Sequence, residues 1–132
     1  VCDDIKAVVD VAHAASRKVK VIFENCYLTD DEKVQLCRIC TDAGADWVKT
    51  STGFGTGGAT MDDLKLMIDN TPDHLQVKAA GGVRDFEKLK LVRDLGVTRC
   101  GASATKIMLD ECRKQLDLQP IDVSDGAANS GY

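Results

Sequence analysis

The chain has 132 residues, 44% hydrophobic and 29% charged, with 17 Lys+Arg against 21 Asp+Glu and a formal net charge of -4. That is one globular domain's worth of polypeptide, and its acidic balance argues against nucleic acid or an anionic membrane as a partner, since both select a basic face. The apolar runs are strand-sized and broken by charge, so no membrane span or signal peptide is expected and a cytoplasmic setting is.

Asp3 to Ser16 reads as a helix with Ile5, Val8, Val9 and Ala12 along one face, and Val19 to Glu24 as a strand. Thr29 is placed to cap the second helix, with Asp30, Asp31 and Glu32 in its first turn, Val34, Leu36, Cys37 and Cys40 along it, and Gly44 at its end. Trp47 to Ser51 is the second strand. Thr60 caps a helix carrying Met61, Leu64, Leu66, Met67 and Ile68, and Leu75 to Ala80 is the third strand. Asp85 caps a helix with Phe86, Leu89, Val92 and Leu95, closed by Gly96; Arg99 to Ser103 and then about Ala104 to Leu116 complete the pattern. Residues 1–117 therefore form the ordered unit, and 118–132, which lose all periodicity after Pro120, are expected to be a flexible tail.

Strands alternating with helices predict an α/β fold with a parallel sheet. Lys20, Lys49 and Lys78 recur at equal spacing, one strand-helix unit apart, and the helix-to-strand turns Asp42 to Trp47 and Asp94 to Arg99 echo each other. A doubly wound sheet usually carries its glycine-rich loop after the first strand. Here Gly81-Gly82 and Gly101 follow the last strands, where TIM barrels place their phosphate site, so the units read as the last four of a (β/α)8 barrel. A whole barrel needs roughly 200–250 residues. The sequence is thus expected to be a half-barrel that pairs with a missing N-terminal half or with a second copy of itself, since either edge strand would otherwise stand open.

The six cysteines fit buried free thiols better than a disulfide framework, because Cys26, Cys37, Cys40, Cys100 and Cys112 mostly fall in apolar periodic segments and Cys2 lies near the terminus. Cys37 and Cys40 form a C-x2-C pair without a second Cys or His pair at zinc-site spacing, so no metal is expected.

Strand alternation sets Lys20, Ile22 and Glu24 on one face of the first strand, Lys49 and Ser51 on the second, and Gln76, Lys78 and Ala80 on the third. The opposite, apolar set belongs against the helices, leaving the lysines inside the barrel. Neighbouring buried ammonium groups depress each other's pKa, and a neutral amine near pH 7 can form a Schiff base with a carbonyl. The bland alternative is a lysine paired with Glu24 or snorkelling from the barrel end. Lys49 is followed by Thr50-Ser51-Thr52-Gly53, hydroxyls and a glycine suited to a sugar or phosphate, so Ser51 and Gly53 join the candidates. Lys78 is followed by Gly81-Gly82-Val83-Arg84, and Gly101-Ala102-Ser103 repeats an anion-ready turn one strand later.

These motifs, with Phe54-Gly55-Thr56-Gly57-Gly58-Ala59-Thr60 after the first, resemble deoxyribose-phosphate aldolase from the first helix to about Leu116. The resemblance implies a TIM barrel and a class I aldolase acting on a small sugar phosphate, joining acetaldehyde and glyceraldehyde 3-phosphate reversibly to 2-deoxyribose 5-phosphate in deoxyribonucleotide catabolism. It implies Lys49 as the Schiff-base lysine, Lys78 as its pKa-lowering and proton-moving neighbour, and Tyr132 as a tail residue that assists proton transfer. Gly81, Gly82, Gly101 and Ser103 match phosphate turns, and Lys20 matches an inward polar lysine near the site. No cofactor is implied, because the iminium is the electron sink. Two departures stand out: the family's relay aspartate on its third strand has no counterpart here, and Phe54 and Ala104 stand where some members carry a basic residue and a serine. The competing expectations are a non-catalytic half-barrel that binds phosphate and, more distantly, a phosphate-binding isomerase, which would rely on a carboxylate base.

Overall fold

The computed structural model describes residues 1–121; Tyr132 and the rest of the expected tail from residue 122 lie outside the described residues. The elements run α1 (Cys2–Ala14), β1 (Lys20–Ile22), a single 3₁₀ turn (Asn25–Tyr27), α2 (Asp30–Ala43), β2 (Trp47–Lys49), α3 (Met61–Asp69), β3 (Gln76–Ala80), α4 (Phe86–Asp94), β4 (Arg99–Gly101) and α5 (Thr105–Gln115). Every expected strand and helix is present. The strands are shorter than the apolar runs that announced them, because β1, β2 and β4 leave the ladder after three residues each.

Helix starts follow from local chemistry. Thr29 and Glu32 form a reciprocal capping box at α2, and the Thr60 and Asp85 side chains accept from the Asp63 and Lys88 N–H groups at α3 and α4. Gly44 ends α2 at φ 76, a left-handed conformation that glycine adopts without a Cβ clash. Helix α5 differs, for its N-cap is Ala104 and no side chain caps it. Beyond α5 the chain turns back on the helix: Leu118 N–H donates to the Arg113 carbonyl at 2.8 Å and Ile121 N–H to Asp110 Oδ1 at 2.7 Å.

The strands form one parallel sheet in sequence order, β1-β2-β3-β4. One face carries Val48, Val77 and Ala79, buried against the helices with Val9, Cys37, Cys40, Leu64, Met67, Val92 and Met108. Burial of each such large side chain stabilises by about 1.5–3 kcal/mol. The other face carries Lys20, Ile22, Trp47, Lys49, Gln76, Lys78 and Arg99, with Ile22 43% exposed. Among the described residues no helix is long and apolar enough to cross a membrane.

The register corrects the equal-spacing argument. Lys49 pairs with Lys78, and Lys78 with Arg99, but Lys20 pairs with Trp47 while Ile22 lies opposite Lys49. Lys20 therefore sits one layer below the other lysines. Equal chain spacing hid this because the two intervening units are built differently, the first from a 14-residue helix and the second from a long loop and a 9-residue helix. Trp47, two residues before Lys49, belongs to the lysine face as well. The Arg99 guanidinium carbon lies 4.1 Å and the Lys18 ammonium 5.0 Å from its ring centroid.

The cysteines are all free among the described residues, but Cys26, expected within an apolar segment, is exposed because it sits in the 3₁₀ turn after β1 rather than in the strand. Cys37 and Cys40 are fully buried and burial pushes their thiols up, to about 11 and about 12, whereas Cys2 and Cys26 are exposed. No cluster of metal-ligating side chains occurs among the described residues.

Candidate active site

The C-terminal ends of β2, β3 and β4 and the loops that follow them surround a cavity of about 570 Å³. It is lined by Lys49, Thr52 and Gly53 from the β2 end, Lys78 and Gly81 to Arg84 from the β3 end, and Gly101 to Ser103 from the β4 end. Seven of the residues singled out from the sequence thus converge: Lys49, Lys78, Gly53, Gly81, Gly82, Gly101 and Ser103. Parallel strands put their C-terminal ends side by side, and that is what gathers motifs so far apart in the chain.

Two candidates fall elsewhere. Lys20 lies below the cavity, though close enough for the ammonium groups of Lys78 and Lys49 to act on it. Ser51 is 1% exposed and does not line the cavity; its hydroxyl has no hydrogen-bond partner among the described residues, and Thr52 faces the cavity in its place. Strand alternation put Ser51 with Lys49 on one face, but β2 stops at Lys49, so the period of two no longer applies beyond it. The preceding Thr50 is also buried, and its hydroxyl donates to the Ala80 carbonyl at 3.2 Å and accepts from the Ala80 N–H at 3.1 Å, locking the β2 end to β3.

Both flanking lysine amines are pushed below the ordinary lysine range. For Lys49 burial comes first and the Lys78 ammonium second, while the Glu24 carboxylate pulls the other way. For Lys20 burial comes first, followed by Lys78, Arg99 and Lys49. Lys78 has room beside β4 because position 101 is glycine: a Cβ there would lie 3.3 Å from Lys78 Cε.

Glu24 is not the lysine's ion-pair partner that the sequence allowed. Its carboxylate accepts from the Thr52 N–H at 3.1 and 3.2 Å and from the Thr52 hydroxyl. The turn after β3 is equally constrained. Gly81 and Gly82 hold φ of 76 and 80, and a Cβ on Gly58 would meet the Gly81 carbonyl carbon at 2.7 Å, so the loop after β2 lies against this turn backbone to backbone. Ala59 N–H reinforces the contact by donating to the Ala80 and Gly81 carbonyls at 3.0 and 3.1 Å. Sequence reading had passed over Thr52 and Glu24 as site residues. Thr52 was visible within the hydroxyl run after Lys49, whereas the Glu24 contact spans 28 residues of chain and left no local signal.

At the two phosphate-type turns the helices that follow differ. The Asp85 side chain already occupies the start of α4, while the first turn of α5, behind Gly101-Ala102-Ser103, carries no acidic side chain and no side-chain cap. An anion is therefore better received at α5.

No protein-family model matches the chain. It is 57% identical over 130 residues to a deoxyribose-phosphate aldolase of Rhodopirellula baltica, covering 98% of this chain and 54% of that protein. Against the deoxyribose-phosphate aldolase of Thermococcus gammatolerans it is 52% identical over 101 residues, 76% of this chain and 45% of the other. The structure superposes on a tetrameric deoxyribose phosphate aldolase from Aeropyrum pernix with a TM-score of 0.74 and 31% identity, covering 87% of this chain and 49% of that one. The chain is thus a relative of the deoxyribose-phosphate aldolases, with the strand-helix architecture of their TIM barrel, and it spans about half the length of the curated relatives it matches.

Proposed function

We propose that this chain carries the imine-forming and phosphate-binding part of a class I aldolase that reversibly cleaves 2-deoxy-D-ribose 5-phosphate to acetaldehyde and D-glyceraldehyde 3-phosphate. The observation that supports this best is the in-register pair Lys49 and Lys78 lining the cavity together with the glycine turns, the Lys49 amine held low by burial and by Lys78. A cytoplasmic place in deoxyribonucleotide catabolism belongs to the same reading.

In the cleavage direction the neutral Lys49 amine adds to the C1 aldehyde of the open-chain sugar, and loss of water leaves a protonated imine. A base takes the C3 hydroxyl proton, the C2–C3 bond breaks, and its electron pair passes into the iminium, releasing glyceraldehyde 3-phosphate and leaving an enamine. Protonation of the enamine at its terminal carbon and hydrolysis of the imine release acetaldehyde and restore the amine. Lys78, beside Lys49 in the same register, is the group we assign to proton movement; Tyr132 keeps its candidate role in enamine protonation. Phosphate is received by Gly81, Gly82, Gly101 and Ser103 at the uncapped start of α5, with Gly53 closing the near side and Lys20 contributing positive charge from below.

Borohydride reduction in the presence of acetaldehyde should fix a two-carbon adduct, and peptide mass mapping should find it on Lys49; a trapped chain without label there refutes the assignment. Because the chain spans about half of its relatives, we further propose that it works paired with the complementary half-barrel or with a second copy. The same span favours a second reading, an assembly module that binds sugar phosphate without forming an imine. Phosphate binding with no borohydride adduct in the assembled complex would select it.

A further inference from the structure

Glu24 is a charged residue beside the Lys49 strand end that the proposed chemistry leaves without a task. Its backbone sits at φ 53 and ψ 61, a left-handed conformation costly for a residue with a Cβ, so the surrounding contacts must hold it there. They do so from both sides. Phe23 N–H donates to the Lys49 carbonyl at 2.9 Å and Asn25 N–H to the Thr50 carbonyl at 2.9 Å, leaving Glu24 between them as a bulge directed at the β2 end. Its carboxylate takes both the N–H and the hydroxyl of Thr52, and that hydroxyl oxygen in turn accepts from the Phe54 N–H at 3.1 Å. The loop passes close over this carboxylate, since a Cβ on Gly55 would come within 2.9 Å of Glu24 Oε1 and of Cys26 Sγ.

We propose that Glu24 is the positioning residue of this site: it clamps Thr52, holds the Lys49-to-Gly53 segment against the cavity, and keeps a negative charge beside the Lys49 amine. The role rests on the reading of Lys49 as the imine-forming group. The charged groups around that amine are Lys20 on β1, Lys78 on β3, Arg99 on β4, Arg84 at the cavity wall and Glu24. Among the described residues Glu24 is the one carboxylate acting on it, and it opposes the lowering by burial and by Lys78. The clamp thus sets a carboxylate against the lowering of the Lys49 amine while fixing the Thr52 side chain that lines the cavity.

The test uses the full chain and Glu24→Gln, Thr52→Val and Thr52→Ser, with two readouts that need no turnover. Brief chymotrypsin digestion reads the freedom of the loop at Phe54, which is 98% exposed. Acylation by acetic anhydride across a pH series, followed by peptide mass, reads the Lys49 midpoint. Glu24→Gln and Thr52→Val should be cut at Phe54 several-fold faster than the parent, and Thr52→Ser at the parent rate. The Lys49 midpoint should fall by about half a pH unit in Glu24→Gln, the size of one carboxylate acting through a water-like dielectric, and stay in place in Thr52→Val. Unchanged cleavage in both, or a midpoint that Glu24→Gln does not move, overturns the proposal. Should Glu24→Gln fail to fold, equal cleavage of the Val and Ser variants overturns it alone. Borohydride trapping on the parent chain is scored separately, so a failed aldolase assignment and a failed clamp give different results.

Discussion

Replacing Lys78 by Met removes an ammonium that lies in register with Lys49 and helps hold its amine low. The sign follows directly: with that repulsion gone the folded pKa of Lys49 rises, the neutral fraction at pH 7 drops, and imine formation becomes optimal at higher pH. Each unit of rise means a tenfold smaller neutral fraction, so the borohydride-trapping profile of Lys78→Met should move to alkaline pH. A second residue-scale outcome concerns Lys33, which is 7% exposed and bonds Asp63 at 2.7 Å and Asp30 at 2.9 Å. Burial lowers its pKa, but both carboxylates outweigh that and raise it. Lys33→Ala strands the Asp63 carboxylate between α2 and α3 and should cost about 1–3 kcal/mol by denaturant titration. Lys33 was assigned no role from the sequence. Its partner Asp63 lies 30 residues on, and nothing in the local pattern foretold the pair. The caps at Thr29, Thr60 and Asp85 were legible because capping is decided within four residues, and Ser51 was misjudged because alternation outlasts the strand only on paper.

Among the elements, the loop between β2 and α3 depends most on close fit. Gly58→Ala drives a methyl group into the Gly81 carbonyl carbon at 2.7 Å, and neither backbone can yield without moving a cavity wall. We expect a loss of about 1–3 kcal/mol in stability and weaker retention of inorganic phosphate by calorimetry. At the other end of the strands, the turn into β2 is fastened by Asp46, which bonds His13 Nε2 at 2.9 Å and Val19 N–H at 2.7 Å. Burial raises the Asp46 pKa, but His13, the Val19 N–H and Lys18 together carry it below the usual value. A carboxyl depressed in the folded state contributes stability that is present above its unfolded pKa, about 3.9, and lost as pH falls through the folded value. Acid melts of Asp46→Asn should therefore be flatter than those of the parent below about pH 4. Element order and type were readable from periodicity, whereas this fastening joins α1 to the turn before β2 across 33 residues and was not.

For the whole molecule, the sheet ends at β1 and β4 with one strand neighbour each. Beside β1 the α1 residues Val8 and Val11 are 59% and 75% exposed, and beyond β4 Ile107 on α5 is 68% exposed. Apolar surface at both ends of an open parallel sheet is what a closing complement would cover. Sedimentation equilibrium should therefore find species heavier than 14.2 kDa, or a chain that becomes so on adding the complementary half; a stable monomer of 14.2 kDa indifferent to that complement contradicts the pairing. The half-barrel was legible in the unit spacing and in the late position of the glycine turns. The lysine register was not, since spacing along the chain counts residues without saying how many belong to helix and how many to loop.

The indole of Trp47 carries a practical consequence. It is the chain's one tryptophan, 6% exposed, two residues from Lys49 on the same strand and in contact with Arg99 and Lys18. All tryptophan emission therefore originates on the floor beneath the lysine pair, from a ring shielded from water and flanked by two cations. Fluorescence excited at wavelengths that the indole alone absorbs thus reports on that floor, without the two tyrosines. It offers an optical gauge of whether β2 keeps its place while Glu24, Lys78 or Gly58 is changed, or while the other half of the barrel is added.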